Sequence, residues 1–197
     1  MLAGNQGASM QATNYRAQLA SLSDGIFAVA MTLLAADITL PPEQTTLPAA
    51  LAALWPQLEG LVLSFGVAAL YWMNHHRRLG RTAQVGPGLL RVNLLFLLAV
   101  VLLPIATRLL SRLPGGTGIV LYGITLSLLA ALNLLLWLLA RRAAQDVEPI
   151  PVVSAAWATL AFMLGTGAAL WSPNLASVIW YLAVLGAILD RKLARRA

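Results

Sequence analysis

Six stretches of about 20 apolar residues, nearly free of charge, decide what this 197-residue chain can become. They run over 19–40, 51–74, 91–111, 118–140, 152–171 and 175–190. A helix of that length reaches across the hydrocarbon core of a bilayer, and a backbone crossing lipid must satisfy its own polar groups internally. Turn-forming residues separate the stretches: Pro41-Pro42, Gly86-Pro87-Gly88, Pro114-Gly115-Gly116, Pro149-Ile150-Pro151 and Ser172-Pro173-Asn174. Pro104 falls inside the third stretch, where it removes one backbone hydrogen bond and favours a kink. The fold class expected is all-α: a polytopic membrane protein with six transmembrane helices. Residues 19–190 form the transmembrane domain, after a polar N-terminal segment 1–18 and before a basic tail 191–197.

Charge supports this reading and orients it. Charged residues are only 10% of the chain, with a mean hydropathy of +0.78, against about 25% in a soluble domain. Of 13 Lys and Arg, 11 fall on one side of the proposed membrane: Arg16, Arg77, Arg78, Arg81, Arg91, Arg141, Arg142, Arg191, Lys192, Arg195 and Arg196. Only Arg108 and Arg112 fall on the other. Positive charge stays with the cytoplasm, so both termini are expected there, as an even number of spans requires. The net charge of +6 then reports topology; no nucleic-acid partner is expected. Segment 1–18 lacks the apolar core of a signal peptide, so the first helix is expected to remain in the mature chain. With no cysteine, no paired intramembrane carboxylates and no nucleotide or acyl-transfer motif, the chain offers an enzyme little, and no cofactor or metal is expected.

Polar residues inside the spans mark candidate sites, because an ionisable group there is costly. Asp24 sits one turn in from the cytoplasmic end of the first span, behind Ser23. It reads equally well as a helix-start residue favoured by the helix dipole. His75, His76 and Arg77 end the second span, and Asn93 begins the third at the same depth. Adjacent histidines point about 100° apart, which suits a metal poorly. One histidine facing the bundle instead reaches Asp24, giving a polar knot of Ser23, Asp24, His75 or His76, Arg77 and Asn93. In the first span Gly25, Val29, Thr32 and Ala36 share a stripe with Leu33 at its edge. Small residues in a stripe suit close helix packing, and equally a narrow pore lined by identical helices.

These residues lie in stretches that resemble a known family. They are Leu22-Ser23-Asp24-Gly25-Ile26-Phe27-Ala28-Val29-Ala30-Met31-Thr32-Leu33-Leu34, then Tyr71-Trp72-Met73-Asn74-His75-His76-Arg77, then Asn93-Leu94-Leu95-Phe96-Leu97-Leu98 followed by Leu103-Pro104-Ile105-Ala106-Thr107. Together they resemble the bacterial six-helix members of the transmembrane protein 175 family, relatives of the animal lysosomal potassium channel. The resemblance implies a potassium-permeable channel in the bacterial plasma membrane. It implies a homotetramer assembled around a central pore lined by the first helix, with Val29 as the apolar constriction, Thr32 as a hydroxyl layer and Ala36 as the next ring outward. The implied partners are potassium ions, the bilayer and further copies of the chain. Where the family has an arginine and an aromatic, this chain has Gln18 and Leu22, so the resemblance implies a polar knot that lacks its usual cation or takes one from Arg77. A secondary carrier using Asp24 and a histidine is the alternative, and a non-conducting scaffold the second.

The topology is directly testable, since the absence of cysteine gives a clean background. Single cysteines at positions 6 and 197 should resist a membrane-impermeant thiol reagent applied to intact cells. A cysteine at position 115 should react.

Overall fold

Proline and glycine set the helix boundaries, and a computed structural model gives them for residues 2–36, 38–39, 46–81, 86–113, 116–143 and 152–193. Side chains are described for 16–36, 38–39, 46–80, 86–113, 116–142 and 152–186; the loop carboxylates Asp37 and Glu43 and the basic tail 191–197 therefore lie outside the described side chains. The elements are α1 (Leu2–Ala36), α2 (Leu47–Arg81), α3 (Pro87–Arg112), α4 (Thr117–Ala143), α5 (Val152–Ala168) and α6 (Pro173–Leu193). Gly86 is extended (φ −75°, ψ 163°) and Pro87 opens α3, where its missing N–H has no helical partner to lose. α6 starts the same way on Pro173, with the Ser172 hydroxyl accepting from the Leu175 amide at 3.4 Å. Between α3 and α4 the chain reverses within four residues, and Gly116 takes a φ of +81° that a side chain would strain. Pro56 and Pro104 lie within α2 and α3, each assigned as one continuous helix.

Among the described residues four helices are long and apolar enough to cross a membrane: Arg16–Ala36 of α1, Leu47–Gly80 of α2, α3, and Thr117–Arg142 of α4. Val152–Ala168 and Pro173–Gly186 are shorter apolar helices. The chain is a multi-pass, all-helical membrane protein. α1 and α2 each have 35 residues, roughly 52 Å at 1.5 Å per residue, more than a core of about 30 Å needs. The polar N-terminal segment is helical from Leu2 and runs unbroken into the first span.

Consecutive helices pack on one another from α3 through α6; α1 and α2 lie against α3, and α2 also touches α6. In lipid, leucine gains little by leaving acyl chains for protein, so close fit and polar ties hold helices together. Trp180 of α6 supplies the closest fit. It is fully buried, meets Tyr122 edge-on at 5.5 Å, and donates to the Phe162 carbonyl at 3.4 Å. A methyl group at Gly165 or Gly123 would run into its indole. The ties are hydroxyls: Ser64 of α2 bonds Thr107 of α3 at 2.7 Å and Tyr122 of α4 at 2.9 Å, and Ser127 of α4 bonds Thr166 of α5 at 3.0 Å.

Gly165→Ala should therefore lower stability by about 1–3 kcal/mol, the usual cost of overpacking. Gly80→Ala, where an added methyl meets nothing within 4 Å, should leave it unchanged or slightly raised. Thermal unfolding of both variants in detergent measures the contrast.

Candidate functional site

α1 has two faces of opposite character. Leu19, Ser23, Phe27, Ala30 and Leu34, spaced by three and four, are buried against the bundle. Gly25, Val29, Thr32, Leu33 and Ala36 are exposed, Val29 to 58% and Leu33 to 47%. Every residue of the expected stripe therefore lies on the face that this subunit leaves uncovered. An open apolar groove of about 480 Å³ runs along it, bounded by Leu22, Gly25, Val29 and Leu33 of α1 and Val101 of α3. The Thr32 hydroxyl donates to the Val29 carbonyl at 2.8 Å. Its proton is thus held within the helix and its lone pairs are left for a cation or water.

At the arginine-rich end the expected knot divides into two groups. The first is at the surface. Asp24 accepts from Trp72 Nε1 at 2.8 Å and lies 3.6 Å from His76 Nδ1, with the two partner rings 4.9 Å apart. Of the two candidate histidines, His76 is the one that meets Asp24. Ser23 turns the other way, its buried hydroxyl bonding back to the Leu19 carbonyl at 2.8 Å.

The second group is buried and centres on Arg78, only 1% exposed. One guanidinium nitrogen bonds His75 Nδ1 at 2.7 Å and another donates to Asn133 Oδ1 of α4 at 3.1 Å. Guanidinium only donates, so Nδ1 must accept, which makes His75 the neutral tautomer protonated at Nε2. The guanidinium also lies over Phe96 of α3 at 5.8 Å and Trp137 of α4 at 6.0 Å. His75 stacks on Phe96 at 6.1 Å, with Phe27 of α1 6.3 Å away. Three helices thus meet at one buried cation, with α1 joined to it through Phe27. Its desolvation is offset by the hydrogen bonds to His75 and Asn133 and by the aromatic faces of Phe96 and Trp137. Asn93 is buried in the same half of the bundle; its Nδ2 and His75 Nε2 have no partner among the described residues.

The buried cation is therefore Arg78, while Arg77 faces outward. Adjacent arginines at a helix end look alike as flanking charges. The discriminating signal is spacing: 78 lies three residues from His75 and shares its face, whereas 77 does not. Asn133 carries a sequence signal of its own, since a lone amide in the leucine-rich fourth span is unusual.

Residues 18–104 match the family described as endosomal/lysosomal potassium channel TMEM175. That segment holds α1 from Gln18, all of α2 and α3 to Pro104, hence the whole exposed stripe and both polar groups except Asn133. Through these three helices the chain is similar to the TMEM175 family. It is 38% identical over 101 residues to a protein named as a potassium channel from Streptomyces collinus, covering 50% of this chain and 49% of that one. It is 34% identical over 99 residues to another so named from Chamaesiphon minutus, covering 48% and 49%. The match thus spans about half the length of these curated relatives. The crystal structure of a lysosomal potassium-selective channel TMEM175 homolog from Chamaesiphon minutus superposes with a TM-score of 0.79 at 22% identity, covering 90% of this chain and 98% of that one. The fold is therefore shared over most of the chain, beyond the segment 18–104.

Arg78→Ala should cost about 2–4 kcal/mol, because the buried acceptors His75 Nδ1 and Asn133 Oδ1 lose their donor. Arg77→Ala should stay within roughly 0.5 kcal/mol. Thermal unfolding in detergent separates the two, and Arg78→Lys should fall between them because a point charge cannot serve both acceptors as a planar fork does.

Proposed function

We propose that the chain is one subunit of a potassium-permeable cation channel: a homotetramer, in a bacterial plasma membrane, with both termini in the cytoplasm and α1 of each copy lining a central pore. The observation that carries this reading is the uncovered face of α1, on which Gly25, Val29, Thr32, Leu33 and Ala36 stand together inside the TMEM175-matched segment. Relatives matching about half the chain carry the name potassium channel, and the fold is that of a potassium-selective homolog.

The physical logic runs along α1. Four Val29 side chains facing one axis make a short apolar ring that empties of water when narrow and conducts when slightly widened. One turn further out, four Thr32 oxygens replace part of an ion's hydration shell. Potassium releases its water more readily than sodium, so the layer favours potassium without a charged ring. Val29 acts as the constriction, Thr32 as the selecting layer, and Leu33, Ala36 and Gly25 as the remaining wall. The process is passive and uses no cofactor. Asp24 with Trp72 and His76, and Phe27 with His75 and Phe96, hold the cytoplasmic end of α1 in register with α2 and α3. Arg78 fixes His75 and Phe96 in turn, with Ser23 and Asn93 buried beside them.

The Asp24–His76 pair, half-exposed at the membrane edge, favours a second reading as a proton-coupled carrier. A carrier saturates and couples fluxes, whereas a pore does neither. In liposomes the purified protein should pass potassium faster than sodium without saturating. Val29→Ala should raise the flux. Thr32→Ala should reduce the potassium preference by about fivefold, the equivalent of roughly 1 kcal/mol of lost hydroxyl coordination. Saturating flux abolished by Asp24→Asn would favour the carrier instead.

A further inference from the structure

A second groove lies between α5 and α6, and neither helix packs on α1. It measures about 380 Å³ and is bounded by Ser154, Trp157, Ala158 and Ala161 of α5 and Leu182 and Gly186 of α6. Small side chains create the space: a methyl group at Gly186 would meet nothing within 4 Å. The groove occupies the start of α5 and the later part of α6, at the end of the bundle where α4 finishes in Arg141 and Arg142. Both arginines are exposed and neither forms an ion pair among the described residues. Over residues 141–197 the sequence carries six basic residues, Arg141, Arg142, Arg191, Lys192, Arg195 and Arg196, against the three acids Asp146, Glu148 and Asp190.

We infer that the α5–α6 groove binds one acyl chain of an anionic phospholipid, with the lipid phosphate held at the headgroup level by Arg141 and Arg142. The charge argues for lipid over a second copy of this face: parallel copies would bring two positive ends together, whereas an anionic headgroup neutralises one. Each Arg near the surface adds roughly 1 kcal/mol toward anionic lipid. The apolar walls suit a chain that needs no hydrogen bond, and Trp157 at the groove's edge stands at the interface level where amphipathic rings settle. The inference rests on the membrane topology and is independent of whether the protein conducts.

Trp157 supplies the probe. The intrinsic fluorescence of the full-length protein is compared with that of Trp157→Phe in phosphatidylcholine vesicles containing brominated phosphatidylglycerol or brominated phosphatidylcholine. The Trp157 contribution should be quenched at phosphatidylglycerol fractions on the order of tenfold lower than those of brominated phosphatidylcholine. The double variant Arg141→Gln/Arg142→Gln should bring the two lipids close to parity. Gly186→Leu, whose Cβ meets nothing within 4 Å, should fill the groove and remove the excess quenching while the arginines remain. Equal quenching by both lipids in the unmodified protein, or a preference untouched by these variants, would overturn the inference. Shielding of Trp157 from both lipids would overturn it too, because the groove would then be covered by protein.

Discussion

Lipid offers apolar side chains nearly what protein offers them, so this bundle stands or falls on its few polar ties and close fits. The buried Arg78 is the strongest of these. A guanidinium taken out of water is tolerated only when its donors are used and its charge is faced by something polarisable. His75, Asn133, Phe96 and Trp137 meet those terms from α2, α3 and α4 together. Once the cation is fixed, Phe96 is fixed under His75, and Phe27 of α1 packs against both. The arrangement of the first four helices at the basic end therefore follows from the burial of one charge.

The same economy explains what α1 leaves open. Its buried stripe makes these aromatic contacts through Phe27 at its middle, and its opposite stripe is left exposed by the other described helices of the subunit. Asp24, Trp72 and His76 sit beside that edge and tie α1 to α2 at the membrane surface. At the far end Gln57 exchanges two hydrogen bonds with the backbone of Thr39, each 3.0 Å, so the chain leaving α1 is held to α2 as well. A helix held at both ends, with an unpartnered face between, suits assembly with copies of itself about an axis.

Hydropathy and punctuation made the helices legible, because a spanning helix must be apolar over its whole length and cannot end within lipid. The pairing of Asp24 with a histidine of α2 was legible from depth alone. Which histidine was not: His75 and His76 differ only in rotation about the helix, and that rotation depends on Phe96 and Phe27, far away in sequence. The inward turn of Arg78 was hidden for a related reason, since Arg77, Arg78 and Arg81 all read as charges anchoring a helix end. Asn133 was visible as an oddity, but its partner was not. The close contact of Trp180 with Gly165 and Gly123 joins three helices and leaves only scattered glycines in the sequence.

The central claim, that the uncovered face of α1 surrounds an aqueous path between subunits, is tested most directly by a single cysteine. With no native cysteine, Val29→Cys places the only thiol in the chain on that face. The account predicts that oxidation links copies of the protein through position 29, and that a water-soluble thiol reagent reaches the site and blocks potassium flux. Labelling at position 29 only by a lipid-soluble reagent, with no link between copies and no effect on flux, would place Val29 against lipid and contradict it.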